Sequence, residues 1–168
     1  HFQRLSQHWG FNVIRLSVTW EAVMHNCPGC VDTQYLVYLK ELVEMAEGYG
    51  LYVIIDPHQD VWSRLTGGDG APWWTLDAAG FDTSTSALHD TGSAVLHQHW
   101  TDGEMPKMLW TTNYWKLAAA TMFTLFFGGN DYAPGITALN TTIPIQEFLQ
   151  GHYLDFIDIV ARTVKDCP

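Results

Sequence analysis

Two short stretches hold most of the chemistry this sequence offers. The first is an arginine set in an aliphatic run, Asn12-Val-Ile-Arg-Leu-Ser-Val18, and the second is Asp56-Pro-His-Gln-Asp60. Side chains alternate across a β-strand. In the first stretch Val13, Arg15 and Ser17 therefore share one face, and Ile14, Leu16 and Val18 share the other. In the run 51–56, Leu51, Val53 and Ile55 share a face, while Tyr52, Ile54 and Asp56 take the opposite one, continued by His58 if the backbone stays extended. The all-aliphatic sets should pack on helices, so Arg15, Asp56 and His58 gather on the other side, towards the carboxyl ends of both strands. A buried arginine is costly unless paired, which predicts a carboxylate partner for Arg15. That pairing suits either a structural ion pair or an active-site arginine.

Other potential sites are weaker. Cys27-Pro-Gly-Cys30 has redox or zinc spacing, but a zinc site needs two further ligands, and the only other cysteine is Cys167. A sparse, odd set of cysteines also argues against a disulfide framework. His97-Gln-His99, near His89 and Asp90, lacks a third metal ligand at fixed spacing, so no metal site is assigned. Gly67-Gly-Asp-Gly70 lacks the Lys-Ser/Thr of a phosphate loop and reads as a turn. No cofactor-binding pattern is found. Asn140-Thr-Thr142 is an acceptor triplet for N-glycosylation, relevant only in a secreted protein.

The elements that must position these residues are legible in outline. Residues 12–18 and 51–56 read as strands, the second nearly continuously apolar, as suits a strand covered on both faces. Between them Tyr35, Leu36, Leu39, Leu42, Val43 and Ala46 recur at a 3.6-residue period, with Asp32 or Thr33 as the cap and Gly48 and Gly50 as a stop. Strand, helix, strand is a βαβ unit. From 61 to 112 the periodicity dissolves, predicting a long functional or disordered loop. Residues 114–127 suit a buried helix ended by Gly128-Gly-Asn130. A last helix starts near Pro144 with the stripe Ile145, Phe148, Leu149, Tyr153, Phe156, Ile157, Val160 and Val164, and Gly151 weakens it enough to allow a slight break. The order suits part of an α/β barrel: a single incomplete domain over 1–168, with 61–112 as a loop insertion. Two strands cannot close a barrel, and both termini read as cut from a longer protein.

Composition narrows the partners. The formal net charge of −10 leaves no basic stripe for nucleic acid or for polybasic attachment to a membrane. No apolar run is long enough for a transmembrane segment. Eight Trp within 14% aromatics suit either sugar recognition or a Trp-rich core.

The motifs become specific when taken together. Gly10-Phe-Asn-Val-Ile-Arg-Leu16, Thr19-Trp-Glu21, Tyr49-Gly-Leu-Tyr-Val-Ile-Ile-Asp-Pro-His-Gln-Asp-Val-Trp-Ser-Arg64 and Gly67-Gly-Asp-Gly-Ala-Pro72 resemble glycoside hydrolase family five. Within it the likeness is to the endoglycoceramidase-like group, with its relatives that cleave glucosylceramide and steryl glucosides. Leu125-Phe-Phe-Gly-Gly129 and Val160-Ala-Arg-Thr-Val-Lys-Asp166 add to it. The resemblance implies a (βα)8 barrel, of which this chain supplies roughly the second and third βα units. It implies a retaining β-glucosidase with a glycolipid or other β-glucoside as substrate, and leaves peripheral contact with lipid open. Arg15 would orient the nucleophilic carboxylate, while His58 and Asp60 would bind sugar hydroxyls. Trp62 and Arg64 would shape the mouth, Trp62 serving as core or as ligand contact. The family's Asn-Glu-Pro acid/base segment and its later nucleophile are expected beyond Pro168, so the 168 residues alone should be inactive. A barrel fragment that binds or scaffolds carbohydrate without catalysis is the alternative. A metal-dependent hydrolase would require His97 and His99 to converge near His58. The resemblance is compatible with a cytoplasmic or with a vacuolar or secretory location.

Overall fold

In the computed structural model of the chain, residues 1–83 and 117–167 are described. A π-helical turn, Arg4–His8, leads into strand β1, Val13–Thr19. Helix α1, Trp20–Met24, follows directly, with Thr19 as its cap. Helix α2, Thr33–Glu47, crosses to strand β2, Tyr52–His58. Helix α3 is Trp74–Ala78, helix α4 Leu117–Tyr132 and helix α5 Ile145–Val164.

Strands β1 and β2 pair in parallel, with Val13 opposite Tyr52, Ser17 opposite Asp56 and Thr19 opposite His58. The parity read from the sequence holds on both. Val18 and Leu51 are buried with their faces turned to the helices, whereas Val13, Tyr52 and Ile54 on the other face are exposed. Arg15 differs from expectation in one respect: its side chain is 64% exposed, because none of the described residues covers that face. The carboxylate partner is nevertheless present, as described below.

Helix α2 begins where the sequence places it. The Asp32 side chain accepts from the Tyr35 N–H at 2.9 Å, satisfying one of the unpaired donors of the first turn. Its stripe buries Leu39, Val43 and Ala46. Helix α5 lays Ile145, Leu149, Phe156 and Val160 into the same core. These residues surround Val18, Trp20, Val23 and Met24 at the carboxyl end of β1. Aromatic edges close the packing: Trp20 meets Trp74 at 5.3 Å and Tyr153 at 5.7 Å, both edge to face.

Of the local expectations at glycines and cysteines, one is corrected. Gly151 does not break α5, which runs unbroken through it. The stop expected at the glycines 128–129 falls at Gly128, whose backbone leaves the helical region and kinks α4; a further helical turn follows as far as Tyr132, and a Cβ at Gly128 would meet the Tyr132 ring. Cys27 and Cys30 form a disulfide with Cα atoms 5.1 Å apart, a local closure of the turn between α1 and α2 rather than a framework.

Residues 59–83, the described part of the unpatterned stretch after β2, have a definite local structure. Asp60 and Asp69 exchange backbone hydrogen bonds at 3.0 and 2.8 Å, folding 60–69 into a closed turn. Gly68 and Gly70 are required there, since a Cβ at Gly68 would run into the Asp60 carbonyl and one at Gly70 into Gln59. The expected turn at Gly67-Gly-Asp-Gly70 is thus present. Thr137 and Pro144 form another antiparallel bridge between α4 and α5.

Candidate active site

The carboxyl ends of β1 and β2 carry a chain of charged contacts. Arg15 Nη2 lies 2.8 Å from Asp56 Oδ2. The Ser17 hydroxyl donates to that oxygen at 3.3 Å, and His58 Nδ1 lies 2.9 Å from it. His58 Nε2 in turn lies 3.2 Å from Asp60 Oδ2. The register explains the assembly, since Ser17 stands opposite Asp56 on the neighbouring strand and Arg15 two residues before it shares the face. Burial raises the Asp56 carboxyl, but the hydrogen bonds and charges of Arg15 and His58 outweigh it and hold the group below the ordinary value of 3.8.

Asp69 joins the cluster through the turn. One of its carboxylate oxygens is sealed from solvent and has no hydrogen-bond partner among the described residues. Burial pushes Asp69 above the ordinary carboxylate range, against the pull of His58 and helped by the Asp60 charge. The ligand atoms of His58, Asp60 and Asp69 all lie within 4.8 Å of one another, close enough to hold a metal ion. Both His58 nitrogens already face carboxylate oxygens, so the imidazole contacts are accounted for by hydrogen bonding.

Beside His58 opens a cavity of about 320 Å³, lined chiefly by aromatic side chains: Trp20, Trp62, Phe123, Phe126, Phe127 and Tyr153, with His58 and Gln59 as its polar members. An apolar pocket with a few convergent polar groups is the usual form of a small-molecule site. Trp62 is 5% exposed, donates from Nε1 to Thr75 Oγ1 at 3.0 Å and packs edge to face on Phe123 and Phe126. Its two sequence readings are therefore compatible, because the residue is at once core and cavity wall.

The structure brings together Arg15, Asp56, His58, Asp60 and Trp62. Arg64 turns instead to Glu21, with Nε 2.7 Å from Oε2 and Nη2 2.6 Å from Oε1. The Glu21 contact and burial act in opposite directions on Arg64, and the contact prevails, raising the guanidinium pKa. The sequence reading missed the Arg64–Glu21 pairing, the place of Asp69 in the cluster and the walls supplied by Phe123, Phe126 and Tyr153. Phe123 and Phe126, three apart on α4, and Tyr153 on the stripe of α5 read from sequence as core alone. His89, Asp90, His97 and His99 lie outside the described residues.

Residues 1–103 match the family described as cellulase (glycosyl hydrolase family 5). The chain is 50% identical over 167 residues to a glucosylceramidase of Aspergillus fumigatus, covering 99% of this chain and 21% of that protein. It is 43% identical over 170 residues to an ergosteryl-beta-glucosidase of Saccharomyces cerevisiae, covering 94% of this chain and 22% of that protein. The crystal structure of Cryptococcus neoformans sterylglucosidase 1 with tris is similar with a TM-score of 0.85 at 40% identity, covering 99% of this chain and 23% of that one. The chain thus spans 21% to 23% of the length of these relatives.

Proposed function

Because the chain belongs to glycosyl hydrolase family 5, we propose that it is part of a retaining β-glucosidase that cleaves the β-glucosidic bond of a glycolipid, glucosylceramide or a steryl glucoside. The 168 residues form a single incomplete barrel domain, contributing roughly the second and third βα units and the loop after the second of its strands. The observation that carries this reading is the cluster Arg15–Asp56–His58–Asp60 at the carboxyl ends of two parallel strands, beside an aromatic cavity. In barrel enzymes that end of the strands is the catalytic face.

In this reading His58 and Asp60 hydrogen-bond hydroxyls of the glucose ring, and Trp62 forms a wall of the cavity next to them. Arg15 reaches from the open face to orient the nucleophilic carboxylate. Retaining hydrolysis needs two carboxyl groups about 5–5.5 Å apart, one protonating the leaving oxygen and one forming the glycosyl-enzyme. Both come from outside these 168 residues. Glu21 is unsuited to either role with its two oxygens held by Arg64, and Asp56 Oδ2 already receives Arg15, Ser17 and His58. The chain alone is then inactive.

The test is kinetic, on the full-length protein. His58→Ala and Asp60→Ala should each lower kcat/KM on a β-glucoside about 10- to 100-fold, the worth of a hydrogen bond involving a charged group. The denaturation midpoint should move little. A loss of folding equal to the loss of activity would count against the assignment. Saturable glucoside binding with no turnover by the full-length protein would favour a carbohydrate-binding barrel instead.

A further inference from the structure

We propose that Glu21 and Arg64 are a positioning pair, which locks the 59–71 turn onto α1 and so fixes His58, Asp60 and Trp62 for substrate. The inference rests on the reading that His58 and Asp60 hold the sugar. Two hydrogen bonds, Nε to Oε2 at 2.7 Å and Nη2 to Oε1 at 2.6 Å, join the two side chains across 43 residues of sequence. A two-pronged contact of this kind sets orientation as well as distance. The Glu21 side chain is only 13% exposed, so solvent screens the pair less than a surface ion pair.

A second tether starts from the same residue. The Glu21 backbone N–H donates to the Gly70 carbonyl at 2.7 Å. Glu21 therefore grips the turn twice, through Arg64 just after Asp60 and Trp62, and through Gly70 next to Asp69. The turn needs such a grip. Val61 and Trp62 sit at φ of 54° and 77°, a left-handed conformation that side-chain-bearing residues keep only when their surroundings enforce it. Helix α1 is a firm anchor, since Trp20, Val23 and Met24 are buried and the Trp74 indole N–H donates to the Met24 carbonyl at 2.7 Å. With both oxygens occupied, Glu21 acts through Arg64 and not on the substrate.

The experiment is a double-mutant cycle on the full-length protein, assayed with an aryl β-glucoside and accompanied by denaturation midpoints. Arg64→Met and Glu21→Gln should each lower kcat/KM by about tenfold to a hundredfold, the scale of a misplacement near 1 Å. Arg64→Lys should recover part of the loss. Combined with Asp60→Asn, Arg64→Met should cost less than the two single losses added together, because part of what the pair positions is already disabled. Strictly additive losses would overturn the proposal, as would an activity loss matched by loss of folded protein. If Arg64→Met does not fold, the same cycle run with the isosteric Glu21→Gln decides. Full activity of both pair variants beside an impaired Asp60→Asn rejects the pair and leaves the sugar site standing. Full activity of Asp60→Asn rejects the sugar-site reading and this inference with it.

Discussion

The two faces of the β1–β2 sheet are made by the same fourteen residues, yet they differ in almost every physical respect. One face sends Ile14, Leu16, Val18, Val53 and Ile55 towards α2 and α5 and meets a core in which Leu39, Leu149 and Phe156 are buried. The other exposes Val13, Tyr52 and Ile54 and ends in Arg15, Asp56 and His58. The difference teaches that period-two alternation separates stability from chemistry within single strands. The helix-backed face gains by removing apolar surface from water. The open face carries polar groups whose contacts are local and partly solvated, and which add little to folding.

The strongest way to break that contrast is to empty the helix-backed side. Phe156→Ala, at 1% exposure, should cost about 3–5 kcal/mol of unfolding free energy in a denaturant titration. Activity per folded molecule should be retained. A specific loss of turnover in protein shown to be folded would mean that the two faces are coupled more tightly than their parity implies.

A smaller effect is expected at the cap of α2. Asp32→Ala removes the acceptor for the Tyr35 N–H and should cost about 1 kcal/mol, read from the same titration, with no change in KM. Arg15→Ala should cost less still, about 0–1 kcal/mol, because its side chain is largely exposed. Its effect on kcat in the full-length protein should far exceed its effect on stability. Equal effects would make the Arg15–Asp56 contact a structural ion pair only.

The smallest expected effect is a pH dependence on the packed side. Burial lowers the His152 pKa from its ordinary 6.5, against a raising contribution from Asp155, and the ring packs on Trp74 and Phe148. A group whose folded pKa is depressed stabilises the fold above its unfolded pKa and loses that contribution as pH falls through the folded one. Stability should therefore decline from about pH 6.5 downwards, and His152→Gln should flatten that part of the profile. An unchanged slope in the variant would assign the decline to other groups.

Much of the candidate site was legible because its determinants are local. Alternation put Arg15, Asp56 and His58 on one face without reference to anything distant, and the structure joins them there. The Asp32 cap and the stripes of α2 and α5 follow from backbone donors and a 3.6-residue period. In the stretch after β2 only the turn at Gly67-Gly-Asp-Gly70 was legible, and the pairing that closes it was not. The order there comes from a Gly-dependent turn closed between Asp60 and Asp69, and a two-residue bridge leaves no periodic trace.

The sequence by itself determined the two strands and their parity, the helical stripes, and a family resemblance carried by motifs such as Asp56-Pro-His-Gln-Asp60. Only the tertiary structure decided that Glu21 belongs to Arg64, that Asp69 turns back towards His58, and that aromatic residues of α4 and α5 wall the cavity beside it. These are contacts between residues far apart in the chain or held by an aperiodic turn. Local propensity says nothing about which partner such a side chain meets; that is settled when burial of the shared core brings the segments together.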